Sequence, residues 1–472
     1  MDAKIEEIYG QVLQKVVPSS SKKEKILNLA EDVKKRVSSE LDVVMSDVRV
    51  IVGGSVAKDT WLDDEADVDV FMLFPTSLNK EKLGEIGLRV AKNALRGFSQ
   101  KERYAEHPYL EAEMDGIRVN VVPCYLIEQG KWLSAVDRSP FHTVYVRERL
   151  QAVDLRDEIR LLKKFMKGIG VYGAEVRVGG FSGYLCELLV LNYQSFHNTL
   201  EAASEWTLGM VIDIENLYHG RFDEARRYFD AVLTVVDPID ANRNVAAAVS
   251  YERLGEFIMA CKIFLKKPSI SFFYPEVEIP LSPSLFQKKL STASFDLLFL
   301  LFDCNVTVPD VLWGQLYKSL RAIRKILVQN GFNVLEVSAW SDEKRRNILV
   351  YALESRLISA SNLHLGPPID SKEAVDFLAK HTGAESTVIG PWVEGNRWIV
   401  GLKRKYIDAA SLLRDRLSNG GKDTGVGKIL FEPLKNSLKI LVNEEIIPFY
   451  SSDLDYALFM SSFIRGKPKW LI

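Results

Sequence analysis

The period of the apolar positions changes several times along this chain, and the changes mark out its elements. Within residues 22–41, Ile26, Leu27, Ala30, Val33 and Val37 recur at helical spacing and predict an amphipathic helix. Asp47–Val52 reads as a strand ending at Gly53-Gly54, and Val68–Phe74 as a second strand stopped by Pro75. Leu78–Phe98 reads as a helix. The runs 109–114 and 117–122 flank Asp115-Gly116, a pair that suits a two-residue hairpin turn. The first 150 residues thus predict an α/β domain whose sheet is mainly hairpin-connected. Residues 155–265 read as chiefly helical, and the proline-rich KKPSISFFYPEVEIPLSP at 266–283 as a connector. A strand at Phe295–Phe302, a helix at Leu312–Gln329 and strands at Phe332–Trp340 and Asn347–Glu354 then predict a small α+β sandwich. HLGPPID (364–370) and SNGGKDTGVGK (418–428) interrupt the pattern. The expected regions are 1–150, 151–265, a body of 266–362 with 425–472, and a tail of 363–424.

The strand at 68–74 also carries candidate chemistry. In GGSVAKDTWLDDEADVDVF (53–71), Asp67 and Asp69 lie two apart, so both carboxylates project from one face while Val68, Val70 and Met72 face a core. Two adjacent like charges are costly without a cation between them. A pair of Mg²⁺ ions would satisfy both and would clamp the attacking and leaving oxygens of a phosphoryl transfer. Alone, the DxD pattern is weak, and a solvated acidic turn explains it equally well. Gly53-Gly54-Ser55 just upstream makes it more specific. Glycines let backbone N–H groups approach a phosphate, a helix starting near Ser55 aims its positive end there, and Lys58 adds a point charge.

With these stretches in view, the chain resembles the archaeal-type (class I) CCA-adding enzymes, tRNA nucleotidyltransferases of the polymerase-beta-like superfamily. The resemblance rests on GGSVAKDTWL (53–62), ADVDVFMLFP (66–75), RYAEHPYLE (103–111), VNVVPCY (119–125), AVDRSPFH (135–142), RLLKKF (160–165), VYGAEVRVGGFSGYLCELL (171–189) and DPIDANRNVAAAVS (237–250). It implies an α+β multidomain fold: a polymerase-beta-like nucleotidyltransferase head, a helical neck, an α+β body and a tail. It implies template-independent addition of C, C and A to tRNA 3′ ends from CTP and ATP, with two Mg²⁺ ions. Matched to the family's motifs, Asp67 and Asp69 are metal ligands. Gly54, Ser55, Lys58, His142, Lys163 and Tyr172 hold the triphosphate, and Arg243 reads the incoming base. Each of the last four also has an ordinary structural reading as a cap, snorkelling, core or ion-pair residue. The resemblance further implies grip on the acceptor arm and TψC loop of tRNA, and it admits a homodimer.

Three positions depart from the family: Lys58 stands where an arginine is common, which keeps the charge and loses the fork, Ser139 stands where a threonine is common, which keeps the hydroxyl, and the third lies at the metal site. There the family's third metal-binding aspartate is matched by Asn120, which keeps the shape and loses the charge. Three readings stay open: an engineered Asp→Asn, an enzyme using another carboxylate with Glu111 and Glu113 nearest, or a catalytically silent tRNA binder. A poly(A) polymerase or oligoadenylate synthetase-like relative is a further alternative, separated by whether CTP is required.

Composition narrows the setting. At 472 residues the chain predicts three or four domains, and 47% hydrophobic with 26% charged residues is ordinary for a globular protein. The balance of 61 basic and 63 acidic residues leaves nucleic-acid binding to local basic faces. Candidates for RNA contact are Lys318, Arg321 and Lys325, with Arg324 beside them, then Arg397, Lys403 and Arg404 in RWIVGLKRKY, and the tail RGKPKW. Four scattered cysteines without zinc spacing read as reduced thiols. No apolar run is long enough to span a bilayer and MDAKIEEIYGQ is unlike a signal peptide, so a cytoplasmic protein without a membrane partner is expected.

Overall fold

The computed structural model describes residues 3–45, 47–104, 107–306 and 308–471. The chain divides into one unit of Met1–Val277 with Pro468–Ile472, and a second of Glu278–Lys467. Residues 105 and 106, inside the RYAEHPYLE stretch, lie outside the described residues.

The first unit opens with helices α1 (Ala3–Val16) and α2 (Ser20–Val44). Then follow strand β1 (Arg49–Gly53), the short helix α3 (Gly54–Lys58), strand β2 (Asp67–Pro75) and helix α4 (Lys80–Ala94). Strands β3 (Ser99–Tyr104), β4 (Pro108–Met114) and β5 (Ile117–Leu126) complete a sheet of order β1-β2-β5-β4-β3. Its lower face, with Val68, Val70, Met72, Leu110, Ala112, Val119 and Val121, packs on Ile26, Ala30, Val33 and Val37 of α2 and on Leu83, Val90 and Ala91 of α4. Asp115 and Gly116 both adopt positive φ, 52° and 76°, as the turn between β4 and β5 requires. One expectation needs correction. β2 pairs in parallel with β5, so the sheet is not simply a chain of hairpins. Residues 99–104 form an edge strand whose exposed polar sequence, SQKERY, carries no apolar period.

Helices α5 (Ser139–Ala152), α6 (Arg156–Gly168), α7 (Gly183–Tyr193) and α8 (Phe196–Ser204) follow. Next come β6 (Met210–Ile212), helix α9 (Phe222–Phe229), β7 (Leu233–Asp237), β8 (Asp240–Asn244) and helix α10 (Tyr251–Lys266). The region expected to be chiefly helical therefore also holds a β6-β7-β8 sheet. LTVVD is buried throughout, and a short apolar run reads equally as buried helix or buried strand. Phe165 anchors the helical core against Phe196, Phe264, Phe272 and Phe273. α1 adds Ile5, Ile8, Tyr9, Val12 and Val16 to the same core.

The second unit begins with helix α11 (Pro283–Ser291), strand β9 (Asp296–Asp303), helix α12 (Pro309–Gln329), and strands β10 (Val334–Ser341) and β11 (Arg346–Leu353). Strand β12 (Ser361–Pro368), helix α13 (Glu373–His381), and strands β13 (Thr387–Glu394) and β14 (Arg397–Lys403) make a separate sheet of order β12-β14-β13. Helix α14 (Ala409–Arg416), helix α15 (Phe431–Ser437), strand β15 (Lys439–Val442) and helices α16 (Ile447–Ser452) and α17 (Leu454–Arg465) complete the unit. The β10-β11-β9-β15 sheet is covered on both faces. Leu298, Leu300, Leu349 and Tyr351 pack under α12 and α14, while Leu297, Phe299, Ile348 and Val350 meet α11, α16 and α17. Burial on both faces explains why β9 and β11 read as unbroken apolar runs. The region 363–424 expected as a tail holds strands β13 and β14 of the separate sheet and also α14. Ala409, Ala410, Leu412 and Leu413 of α14 belong to the body core, so the separate sheet ends near Lys403.

Candidate active site

The open face of the first sheet is set out in rows by strand register, since directly opposed residues project to the same side. Gly53, Asp69, Asn120 and Glu111 form one row across β1, β2, β5 and β4. Asp67, Arg118 and Glu113 form the next. The two aspartates thus stand together at the start of β2, as their spacing predicts, with Asn120 beside them. Asn120 Nδ2 donates to Asp69 Oδ1 at 2.9 Å, and Arg118 Nε lies 3.6 Å from Asp67 Oδ1. Burial raises the Asp69 carboxyl to about 6, although the Asn120 bond works against it, and burial raises that of Asp67 too. Glu111 is held by both nitrogens of a forked Arg103 contact, at 3.1 and 2.8 Å. A cleft of about 740 Å³ lies alongside, lined by Asp67, Glu111, Glu113 and Arg118 among others.

The glycine turn brings backbone against this row. Gly54 has φ +67°, and a Cβ there would overlap the Asp69 carboxylate; one on Gly53 would meet the Phe71 ring. Only glycine lets α3 begin so close to the aspartates. No side chain caps the start of α3, and half-buried Ser55 sits in its first turn.

Behind α3 lies a buried charge cluster. Lys58 Nζ donates to Glu187 Oε2 at 2.5 Å, Thr60 Oγ1 to Glu187 Oε1 at 2.6 Å, and Lys163 Nζ to Glu187 Oε1 at 3.1 Å. Lys163 also donates to the Thr60 carbonyl at 3.1 Å. The three charged side chains are nearly sealed, at 7%, 3% and 1% exposure for Lys58, Lys163 and Glu187. Burial by itself would raise the Glu187 carboxyl, but Lys58 and Lys163 outweigh it and hold it at about 2. Burial lowers the Lys163 ammonium, against the pull of Glu187. The Tyr172 hydroxyl and Lys163 Nζ both approach Gly183, at 2.8 and 3.7 Å from where its Cβ would be, so both stand at the first residue of α7. Burial raises the Tyr172 phenol, and Lys167 lies 4.7 Å over its ring.

The remaining two candidates meet at another buried anion. His142 Nε2 lies 2.9 Å from Asp237 Oδ2, and Arg243 Nη1 donates to the same oxygen at 2.6 Å. The Tyr184 hydroxyl reaches Asp237 Oδ1 at 3.3 Å, and its ring stacks on His142 with centroids 4.0 Å apart. Burial lowers the His142 imidazole, countered by Asp237. Asp237 is fully buried, and the contacts of His142 and Arg243 overcome its burial to keep the carboxyl below its ordinary value.

Sequence reasoning missed Glu187, Thr60, Tyr184 and Asp237. A signal was present for two of them. Glu187 interrupts the apolar run YLCELLVL, and Asp237 ends the apolar run LTVVD. A charge in such a run implies a buried partner.

In the second unit, Lys318, Arg321, Arg324 and Lys325 are exposed on the face of α12 turned away from the core, and no ion pair involves them among the described residues. Arg397 and Lys403 are exposed at the two ends of β14. Arg404 is placed differently: its Nη1 donates to the Asn330 carbonyl at 3.3 Å, at the C-terminal end of α12, where its charge also suits the helix dipole. Among the described residues, no helix is long and apolar enough to cross a membrane.

The chain is similar to known proteins over nearly its whole length. A nucleotidyltransferase domain model matches residues 28–150, the tRNA nucleotidyltransferase second domain matches 157–274, and the CCA-adding enzyme C-terminal domain matches 295–443. The CCA-adding enzyme of Methanosarcina barkeri is 35% identical over 463 residues, covering 97% of this chain and 98% of that protein. That of Methanothermobacter thermautotrophicus is 34% identical over 461 residues, with the same coverage, and that of Pyrobaculum aerophilum 35% over 426 residues, covering 89% and 96%. With three domain models in order and full-length relatives above 30% identity, this chain belongs to the CCA-adding enzyme family.

Proposed function

We propose that this chain is a CCA tRNA nucleotidyltransferase that adds C, C and A to tRNA 3′ ends from CTP and ATP without a template. The terminal 3′-OH attacks the α-phosphorus, the bond to the bridging oxygen breaks, and pyrophosphate leaves. The observation that carries this reading is the meeting of Asp67 and Asp69 with the Gly53-Gly54 turn on one face of the sheet, in a full-length family match.

The two aspartates fit a divalent cation: both are carboxylates on one strand face, side by side at the start of β2, and burial raises both carboxyls, a cost that a bound cation would offset. When bound, Mg²⁺ would draw charge from the phosphate oxygens as a Lewis acid. The chain's own residues do the rest. The start of α3 presents backbone N–H groups beside Ser55, suited to a phosphate. Lys58 and Lys163 offer two positive charges against the single negative charge of Glu187, leaving a surplus for the triphosphate, with Tyr172 at its edge. His142 and Arg243 are fixed in place by Asp237, and the Arg243 fork presents a rigid donor set to the base edge. The stripe Lys318, Arg321 and Lys325 suits phosphates of the acceptor arm and TψC loop, bound by shape and charge. The setting is the cytoplasm, where the four buried cysteines stay as free thiols.

The test is incorporation of labelled CTP and ATP into tRNA ending before CCA, for this chain and for Asn120→Asp. Both should add CCA, the aspartate variant at least tenfold faster, because a charge at a phosphoryl-transfer site is worth several kcal/mol in the barrier. Failure of both to incorporate either nucleotide defeats the proposal. Incorporation of ATP alone replaces it with a poly(A)-type reaction.

A further inference from the structure

The aspartate site departs from a two-cation site in a specific way. A two-cation site needs carboxylate around both ions, and β5 supplies none here. At the position opposite Asp69 it places the Asn120 amide, which spends its N–H on Asp69 Oδ1 at 2.9 Å. Opposite Asp67 it places a guanidinium, with Arg118 Nε 3.6 Å from Asp67 Oδ1. Among the described residues, no group of three or more His, Cys, Asp or Glu side chains is arranged to hold a metal.

Neither neighbouring glutamate makes up the loss. Glu111 and Glu113 lie on β4, two strands from β2, a separation of roughly 9–10 Å at the usual strand spacing. That is too far to share an ion with the aspartate in the same row. Glu111 is also occupied at both oxygens by Arg103. Glu113 stands beyond Arg118, so the guanidinium separates it from Asp67.

The charge count follows. Asp67 and Asp69 give two negative charges and Arg118 returns one positive, so the site carries a net charge of −1. The other nearby cation, Lys58, is held by Glu187. Resting on the reading of the site as a nucleotidyltransferase, we propose that it takes a single divalent cation with the incoming triphosphate, and that Arg118 is the resident charge in the place of a second. Arg118 is 59% exposed and its contact with Asp67 is long. Such a pair is loose, so the guanidinium is free to turn from Asp67 to a phosphate oxygen, for which its planar fork is suited.

The experiment counts Mn²⁺ by electron paramagnetic resonance on the full chain with a non-hydrolysable CTP analogue bound. The expected count is one Mn²⁺ per chain, rising to two in Asn120→Asp. Arg118→Ala should tighten the first ion by roughly threefold to fivefold, the scale of one exposed ion pair. Arg118→Lys, which keeps the charge, should stay near the parent affinity. Two ions on the unchanged chain, a single ion in Asn120→Asp, or an Arg118→Ala affinity equal to the parent's would each overturn the proposal. CCA addition measured on the same samples keeps the two readings apart. One ion without addition defeats the function and leaves the cation count standing, and two ions with addition does the reverse.

Discussion

Replacing Glu187 by glutamine tests the electrostatic core of the site. The carboxylate is 1% exposed and takes contacts from Lys58, Lys163 and Thr60. Removing one partner of a buried ion pair leaves an uncompensated charge and costs about 3–5 kcal/mol. The acidity of Glu187 gives a second route to the size. Burial alone would raise its carboxyl, yet the two lysines bring it from 4.5 down to about 2. That depression corresponds to about 3 kcal/mol of stability, present above pH 4.5 and lost as pH falls from there through 2. The two routes agree, and the first unit should melt roughly 6–15 °C lower at pH 7.5. The lysines supply the diagnostic. Burial already lowers Lys163, and without Glu187 it falls further. A lysine lower in the folded than in the unfolded state binds fewer protons when folded, so stability rises with pH. The variant should therefore recover part of its loss between pH 7.5 and 9, whereas a simple packing defect would not. CTP should also raise its melting temperature by more than the parent's, since a triphosphate replaces the missing anion. Scanning calorimetry at both pH values, with and without CTP, reads all three. An unchanged melting temperature, or a loss indifferent to both pH and CTP, would refute the reasoning.

Asp69 behaves oppositely to Glu187: with its carboxyl raised to about 6, the folded chain binds that proton more tightly than the unfolded one, so acid relieves a penalty. Urea unfolding in chelator should show the parent gaining about 1–2 kcal/mol between pH 7.5 and 5 relative to Asp69→Asn, with parallel curves as the contrary result. Arg243→Lys keeps charge but loses the fork, so it should raise KM for CTP and ATP and blunt discrimination against UTP and GTP, with unchanged selectivity telling against a base-reading role. Reversing Lys318, Arg321 and Lys325 to glutamate should weaken tRNA binding and reduce its salt slope by roughly two to three, with little change in CTP binding; an unaltered slope removes α12 from the RNA surface.

What was legible in the sequence was what local pattern controls. The alternation in β2 set Asp67 and Asp69 on one face, and Asp115-Gly116 marked its hairpin because both residues needed positive φ. β3 escaped because it is an exposed edge strand held by backbone pairing to β4, with no buried side chains to impose a period. β7 escaped because its five residues are all buried, which erases alternation. The buried carboxylates behind the site escaped for a different reason. Glu187 finds Lys58 across 129 positions and Asp237 finds His142 across 95, and no spacing rule reaches that far.

Those two distant anions share one logic. A cation meant for a nucleotide cannot be buried alone before the nucleotide arrives, because an unpaired buried charge is too costly. The chain gives each group of proposed binding residues its own carboxylate: Glu187 for Lys58 and Lys163, Asp237 for His142 and Arg243. The arrangement fixes side chains that would otherwise move, so little ordering entropy is left to lose on binding. It also sets a limit, because each carboxylate repels the phosphates it prepares the site for. The limit is looser at Glu187, where two ammonium groups outnumber one carboxylate, than at Asp237, where burial keeps the imidazole disposed to be neutral and leaves Arg243 the lasting positive charge. The surplus positive charge therefore lies at the Lys58–Lys163 end of the site, and the Asp237 end is close to electrically balanced. On the proposed reading of the site, that charge distribution favours a triphosphate at the first and an uncharged base at the second.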